Sequence, residues 1–163
     1  MSAVVAPLHP DLAPIASLLG TWRGEGRGTY PTIEPFSYGE QMTFSHVGDP
    51  FLVYEQHSWL RDDATPLHLE RGFLRPDGEG GLELALAHPL GLTEIAHGRL
   101  GADGGLELAT GPGGVGRTRT GMPVVALRRR YELDHDVLRC TLDMQTEATP
   151  MTRHLEAELR RVP

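Results

Sequence analysis

The chain contains no lysine, and all 15 of its basic residues are arginines. That removes the P-loop lysine that reaches nucleotide phosphates, the Schiff-base lysine of pyridoxal enzymes and aldolases, and the kinase strand lysine. Cysteine is nearly as scarce. Cys140 stands alone, which excludes an internal disulfide, a Cys-x-x-Cys redox pair and a Cys-x-x-Cys-His attachment site. Its place in Leu138-Arg139-Cys140-Thr141-Leu142 predicts a buried structural thiol rather than a nucleophile. None of Ser2, Ser17, Ser37, Ser45 or Ser58 occupies a Gly-x-Ser-x-Gly elbow, so a serine hydrolase is excluded. Long apolar runs are missing too: no stretch approaches the roughly 18 to 20 residues that span a bilayer. The segment Met1 to Leu8 lacks the basic and apolar regions of a signal peptide, and a cytoplasmic location is expected.

Positive charge is also in deficit. A formal net charge of −7 opposes a phosphate backbone unless a concentrated basic patch outweighs it. The one dense run is Arg128-Arg129-Arg130. In a strand, successive side chains point to opposite faces, so the run cannot form a three-charge patch and reads as a solvated edge. Neither a nucleic-acid nor a membrane partner is expected.

What the chain does have is turn chemistry. With 20 Gly and 13 Pro in 163 residues, there is little room for long helices and one domain of ordinary size, 1–163, is expected, with residues 1–9 disordered. Residues 10–19 read as a short helical turn entered at Asp11 and stopped by Gly20, after which the apolar period becomes two. A first strand through the Gly20 segment is followed by candidates at 36–46, 51–60, 66–76, 81–88, 92–100, 104–110, 117–133, 136–147 and 152–161. Turn residues such as Pro76-Asp77-Gly78 and Asp134-His135-Asp136 separate them. The stretch Gly111-Pro112-Gly113-Gly114-Val115-Gly116 reads as a mobile loop and matches no phosphate-binding fingerprint. Closely spaced strands without intervening helices pair antiparallel, giving an all-β, up-and-down barrel with room inside for a ligand.

Chemistry rests on the eight histidines: His9, His46, His57, His68, His88, His97, His135 and His154. No His-Glu-x-x-His pair or tight His/Cys/Asp cluster occurs among them, and spacing alone does not choose a ligand. The most specific short pattern is Gly20-Thr21-Trp22-Arg23-Gly24-Glu25-Gly26. Gly20, Gly24 and Gly26 permit bends and close backbone approach, and Trp22 can plug a barrel end with its indole N–H free to find a partner. This is a closing element of the fold rather than a catalytic one.

That segment is followed by Gly28-Thr29-Tyr30-Pro31-Thr32-Ile33, Pro35-Phe36, Ser45-His46-Val47-Gly48 and Pro50-Phe51, and later by Pro66-Leu67-His68-Leu69-Glu70-Arg71-Gly72-Phe73, Gly91-Leu92-Thr93-Glu94 and Pro150-Met151-Thr152-Arg153-His154-Leu155. In this order, from about residue 10 to the end, the chain resembles the nitrobindin family. The resemblance implies a ten-stranded antiparallel barrel, related in shape to lipocalins and fatty-acid carriers, that binds one haem b non-covalently. It implies that His154 is the axial iron ligand and the catalytic residue. It places Thr32 among the haem contacts and Leu67, His68, His88 and Met144 in the pocket lining, where some relatives have Met, His, Gln and Met. The implied activity is isomerisation of peroxynitrite to nitrate by ferric haem, with reversible nitric oxide binding; self-association as a homodimer is left open. The alternatives are a carrier of a fatty acid or other apolar molecule, and a haem or nitric oxide sensor-carrier without turnover.

Strand parity opposes one of these implications. In a regular strand over 152–161, Leu155, Ala157 and Leu159 share one face while His154 shares the other with Glu156 and Glu158, which puts His154 outside. An inward His154 therefore requires a bulge or a strand end near Pro150, or a ligand at the open rim.

Overall fold

Ten strands alternate between inward apolar and outward polar residues and close on themselves in a single antiparallel meander. The structure, a computed structural model, describes residues 6–163. Of the segment 1–9 expected to be disordered, residues 1–5 lie outside the described residues, and Leu8 packs against the core. A 3-10 helix, Pro10–Leu18, leads into β1 Gly20–Tyr30, β2 Ile33–Ser45, β3 Leu52–Leu60, β4 Pro66–Pro76, β5 Leu82–His88, β6 Leu92–Leu100, β7 Leu106–Arg117, β8 Val124–Asp134, β9 Val137–Thr146 and β10 Thr152–Arg161. The ring runs β1-β10-β9-β8-β7-β6-β5-β4-β3-β2. Pairing of β1 with β10, from Trp22↔Arg161 to Gly28↔Leu155, removes both sheet edges.

The 3-10 helix plugs one end. It has Pro14 inside, which cannot donate to a backbone carbonyl. It buries Leu12, Ile15 and Leu18, each worth about 1.5–3 kcal/mol of transfer free energy. Trp22, fully buried, donates from Nε1 to the Leu18 carbonyl at 2.8 Å. The Arg161 guanidinium lies 4.2 Å from the centre of its ring and also donates to the Leu19 and Ser17 carbonyls. The first strand and the last thus hold the plug together.

The inward positions of β1 after Trp22 are Gly24, Gly26 and Gly28, and the space is taken by other chain. A side chain at Gly24 would meet the Glu158 and Leu159 backbone of β10. At Gly26 and Gly28 it would meet the rings of Tyr38 and Phe36, which sit directly opposite on β2. Glycine here is the condition for two aromatic rings to fold over the strand.

Two segments differ from the sequence reading. The glycine-rich stretch is no free loop: β7 runs through it, with Thr110 paired to Ala96 and Val115 to Glu94, so that Gly111 to Gly114 are accommodated opposite Ile95. The long strand expected at 117–133 is interrupted, because the residues between β7 and β8 turn back onto Gly91 and Leu90 through Thr118 N–H, donating to the Gly91 carbonyl at 2.9 Å, and Met122 N–H, donating to the Leu90 carbonyl at 3.2 Å. In consequence β7 and β8 share only the short ladder Leu106↔Tyr131 to Ala109↔Arg128, whereas β8 pairs with β9 from Val124↔Thr146 to Asp134↔Val137.

Along the strands, the interior has three layers. Next to the plug is an apolar core containing Leu52, Tyr54, Leu74, Leu84, Leu106, Leu138 and Leu159. One inward step further on several strands come buried polar groups, Glu40, Gln56, Glu70, Glu94 and Arg129. Beyond them lies a cavity walled in part by Leu92, Val124 and Leu127, with Leu142 and Met144 packed against them.

Candidate functional site

The cavity has a volume of about 400 Å³ and is lined chiefly by apolar side chains, with Ser58, His68, His88, Arg129 and His154 as polar exceptions. That is the size and character of a small-molecule or cofactor pocket. Leu67, His68, His88, Met144 and His154 all lie in its wall, as does Phe36. Thr32 lies instead in the exposed turn between β1 and β2, and its neighbour Ile33 reaches the lining. The other histidines, His9, His46, His57, His97 and His135, are not in the wall.

His154 enters the cavity by a bulge. Arg153 pairs with Asp143 and Leu155 with Leu142, leaving His154 without a partner on β9. One extra residue restores Leu155, Ala157 and Leu159 to the inside while turning His154 inward as well. Asp143, on β9, anchors this kink by accepting from Arg153 Nε at 2.5 Å and from Arg128 Nη2 at 2.8 Å. Burial pushes the Asp143 carboxyl up, but the two arginines outweigh it and hold the carboxyl below its ordinary range.

The ring of His154 is fixed on several sides. Its Nδ1 lies 3.0 Å from the Thr29 carbonyl oxygen; a carbonyl only accepts, so Nδ1 carries the proton and Nε2 holds a free lone pair. Tyr30 meets the imidazole edge-on at 5.2 Å and Phe36 at 6.4 Å between ring centres. Tyr30 is itself tied down by donating to the Met144 carbonyl at 3.0 Å. Burial lowers the pKa of His154, the hydrogen bond to the Thr29 carbonyl opposes that, and the nearness of His68 adds to the lowering. The group offered to the cavity is therefore a neutral imidazole.

A second polar cluster faces it. In the ring of ten strands, β10 and β5 are five steps apart in either direction, so His154 and His88 stand on opposite walls, with His68 on the neighbouring β4. His68 Nε2 is 3.2 Å from His88 Nδ1 and 3.3 Å from Glu70 Oε2. His88 Nε2 is 3.0 Å from Glu94 Oε2. Arg129 binds both carboxylates in two-pronged fashion, at 2.6 and 2.9 Å to Glu70 and at 2.8 Å through each of two nitrogens to Glu94. Tyr54 donates to Glu70 Oε1 at 2.6 Å. Burial pushes both carboxyls up, but Arg129 and the histidine bonds hold Glu70 well below and Glu94 below the usual carboxylate range. Glu40 has only a neutral partner, Gln56 Nε2 at 3.1 Å, and burial pushes its carboxyl up to about 7.

Arg129, Glu70 and Glu94 were not among the residues singled out from the sequence. The arginine run does alternate, with Arg128 and Arg130 ion-paired toward solvent, but Arg129 is buried. The solvated-edge reading fails there because Arg129 is in phase with the inward Leu127 and Tyr131. The same signal marks Glu70, two residues from His68, and Glu94, between inward Leu92 and Ala96. A charge recurring at apolar parity is buried, and a buried charge requires a partner of opposite sign.

A closed antiparallel barrel with one plugged end, a charged floor and, in an apolar cavity, an imidazole with a free ring nitrogen belongs to the class of internal-cavity ligand-binding barrels. Residues 11–161 match the model of the THAP4-like, heme-binding beta-barrel domain. The chain is 50% identical over 157 residues to peroxynitrite isomerase 2 of Mycobacterium ulcerans, covering 96% of this chain and 98% of that protein. It is 46% identical over 167 residues to the peroxynitrite isomerase of Nocardia farcinica, covering 99% of both. The crystal structure of Rv2717c from M. tuberculosis superposes with a TM-score of 0.92 at 43% identity, covering 96% of this chain and 100% of that one. The chain belongs to the THAP4-like haem-binding barrels, the family its nitrobindin motifs resemble.

Proposed function

We propose that this chain is a single-domain haem protein that takes one haem b without a covalent link and isomerises peroxynitrite to nitrate, the activity named for relatives at about half identity over nearly their whole length. The observation that carries the reading is His154: a neutral imidazole with a free Nε2, oriented by the Thr29 carbonyl and two aromatic rings, on the wall of an apolar cavity. That donor set fits haem, since neutral imidazole is a usual axial ligand and the macrocycle needs an apolar enclosure.

When bound, ferric haem supplies a Lewis-acidic coordination position open to an anion. The chain's own contribution is positional. His154 Nε2 is the ligand atom, and the carbonyl at Nδ1 fixes its tautomer and makes it more electron-rich. Leu142 and Met144 in the wall, with Leu67 at its exposed margin, present an apolar surface that would confine and orient a small anion. Conversion of peroxynitrite to nitrate conserves all atoms and electrons, so confinement and orientation are what the pocket has to provide. His68 and His88 have their inward nitrogens tied to one another and to carboxylates, so they shape the facing wall as a rigid unit. Thr32, at the rim, is the contact for a polar haem edge. Nitric oxide is a further small ligand for the same open position, and a homodimer remains part of the proposal.

The test is a haemin titration of the pure protein followed by its Soret band, with His154→Ala in parallel. Saturation near one haem per chain, lost in the variant, is expected. Stopped-flow measurement of nitrate yield should then exceed that of the haem-free protein. A folded wild type that binds no haem, or a His154→Ala variant with unchanged spectrum and affinity, overturns the reading.

A further inference from the structure

The polar cluster opposite His154 also has the geometry of a metal-ligand set. His68 Nε2, His88 Nδ1 and Glu70 Oε2 form a nearly equilateral triangle, with sides of 3.2 Å between the two histidines, 3.3 Å from His68 to Glu70 and 3.3 Å from His88 to Glu70. Zinc-like ions bind nitrogen and carboxylate oxygen at about 2.0–2.1 Å in tetrahedral sites, which places neighbouring ligand atoms about 3.3–3.4 Å apart. The triangle is one face of such a tetrahedron.

Glu94 Oε2 only accepts, so His88 Nε2 carries a hydrogen. With that one hydrogen on the ring, His88 Nδ1 presents a lone pair to Glu70 Oε2 at 3.3 Å, and either a second proton on His88 or a cation at the centre of the triangle turns the contact attractive. The surroundings suit a metal site: Glu94 orients His88 through its outer nitrogen, Tyr54 and Arg129 Nη1 hold Oε1 of Glu70, and Arg129 Nη2 donates to the ligand oxygen Oε2 at 2.9 Å. Glu70 and Glu94 against Arg129 leave one net negative charge beside neutral imidazoles. His68 and His88 both face the cavity, so a fourth coordination position opens into it.

We propose that His68, Glu70 and His88 form a second metal site, for a divalent transition-metal ion with two-histidine, one-carboxylate ligation, on the cavity wall across from His154. It uses none of the atoms proposed to bind haem, although it borders the same cavity, and it goes beyond the function proposed above. Its open position would take a small anion or a neutral diatomic molecule from the same cavity.

The experiment is a titration of haem-free, metal-stripped full-length protein with Co(II), read by the visible d–d bands of tetrahedral cobalt, followed by displacement with Zn(II). One cobalt per chain is expected. His68→Ala and His88→Ala should each weaken binding at least tenfold, and Glu94→Gln by about 10–100-fold, the usual cost of removing an orienting partner. His154→Ala should leave the cobalt bands unchanged although it abolishes haem binding, so the two proposals fail separately. His68, the least buried of the three, gives a variant that folds where one in the charged floor does not, with circular dichroism as the check. No saturable tetrahedral band in folded wild type, persistence of the band in both His68→Ala and His88→Ala, or its loss in His154→Ala each overturns the site.

Discussion

His154 Nδ1 and the carbonyl oxygen of Thr29 meet at 3.0 Å across the junction of the last strand and the first. The contact exists because the bulge between Arg153 and Leu155 turns the ring inward, and because β1 and β10 close the barrel at that point. It makes the imidazole a one-sided donor whose other nitrogen is free.

A neutral, half-buried His154 leaves a signature in stability. Its folded-state pKa is lowered by burial, so the unfolded chain takes up the proton first, and the stability this group contributes is present above the ordinary histidine value and lost as pH falls below it. His154→Leu removes that dependence. In haem-free protein, the unfolding midpoint of wild type should fall relative to His154→Leu as pH drops through 6.5, while the variant shows no saturable haem binding. Parallel melting curves at several pH values check it.

Arg129 compensates two buried carboxylates at once. Arg129→Met leaves both unpaired and should cost about 3–5 kcal/mol in urea unfolding at neutral pH, as for other broken buried ion pairs. Adding Glu70→Leu and Glu94→Leu should restore most of the loss, because the penalty is the stranded charge rather than a missing contact.

Glu40 behaves in the opposite sense to its neighbours. Burial raises its carboxyl from 4.5 to about 7, so the folded chain holds a proton that the unfolded chain releases. The contribution is present below pH 4.5 and lost as pH rises through about 7. Glu40→Gln keeps an oxygen for Gln56 and carries no charge. It should match wild type in acid and exceed it by about 3 kcal/mol at pH 8, since each tenfold change in proton affinity between the folded and unfolded chain is worth about 1.4 kcal/mol. Urea unfolding of the two proteins across that pH range checks it.

The inward glycines of β1 should separate stability from ligand binding. Gly24→Ala drives a methyl group into the β10 backbone and should cost about 1–3 kcal/mol. Gly28→Ala meets first the end of the Phe36 ring, a side chain rather than backbone, so stability should change less. That ring packs against His154, so haem affinity should fall. Unfolding curves and haemin titrations of the two variants give the comparison.

The strands were legible from alternation because most inward positions are apolar and most turns carry Gly, Pro or Asp. Pro14 made the opening turn a 3-10 helix without moving its ends by more than a residue or so. Parity failed where the chain itself departs from regularity. His154 shares spacing with outward Glu156 and Glu158, and only pairing with β9 reveals the extra residue that turns it to the cavity; the motif resemblance pointed to this residue where periodicity pointed away. The buried Arg129 was obscured by its two solvated neighbours, and the triangle at His68 joins residues of two strands that no linear spacing relates. Thr32, named by motif, sits at the rim rather than in the wall.

The short ladder between β7 and β8 bears on how a broad, flat molecule gains admission. Past Ala109 and Arg128 the two strands share no paired residues, and the principal bridge is Thr110 Oγ1, which accepts from the Leu127 N–H at 3.0 Å. Val124, Leu127 and Met122 line the cavity on that side. The cylinder therefore carries a built-in seam beside its chamber, where one side-chain bridge and a connecting turn stand in for a ladder of paired strands. A guest admitted on that side would displace side chains and leave every paired strand intact.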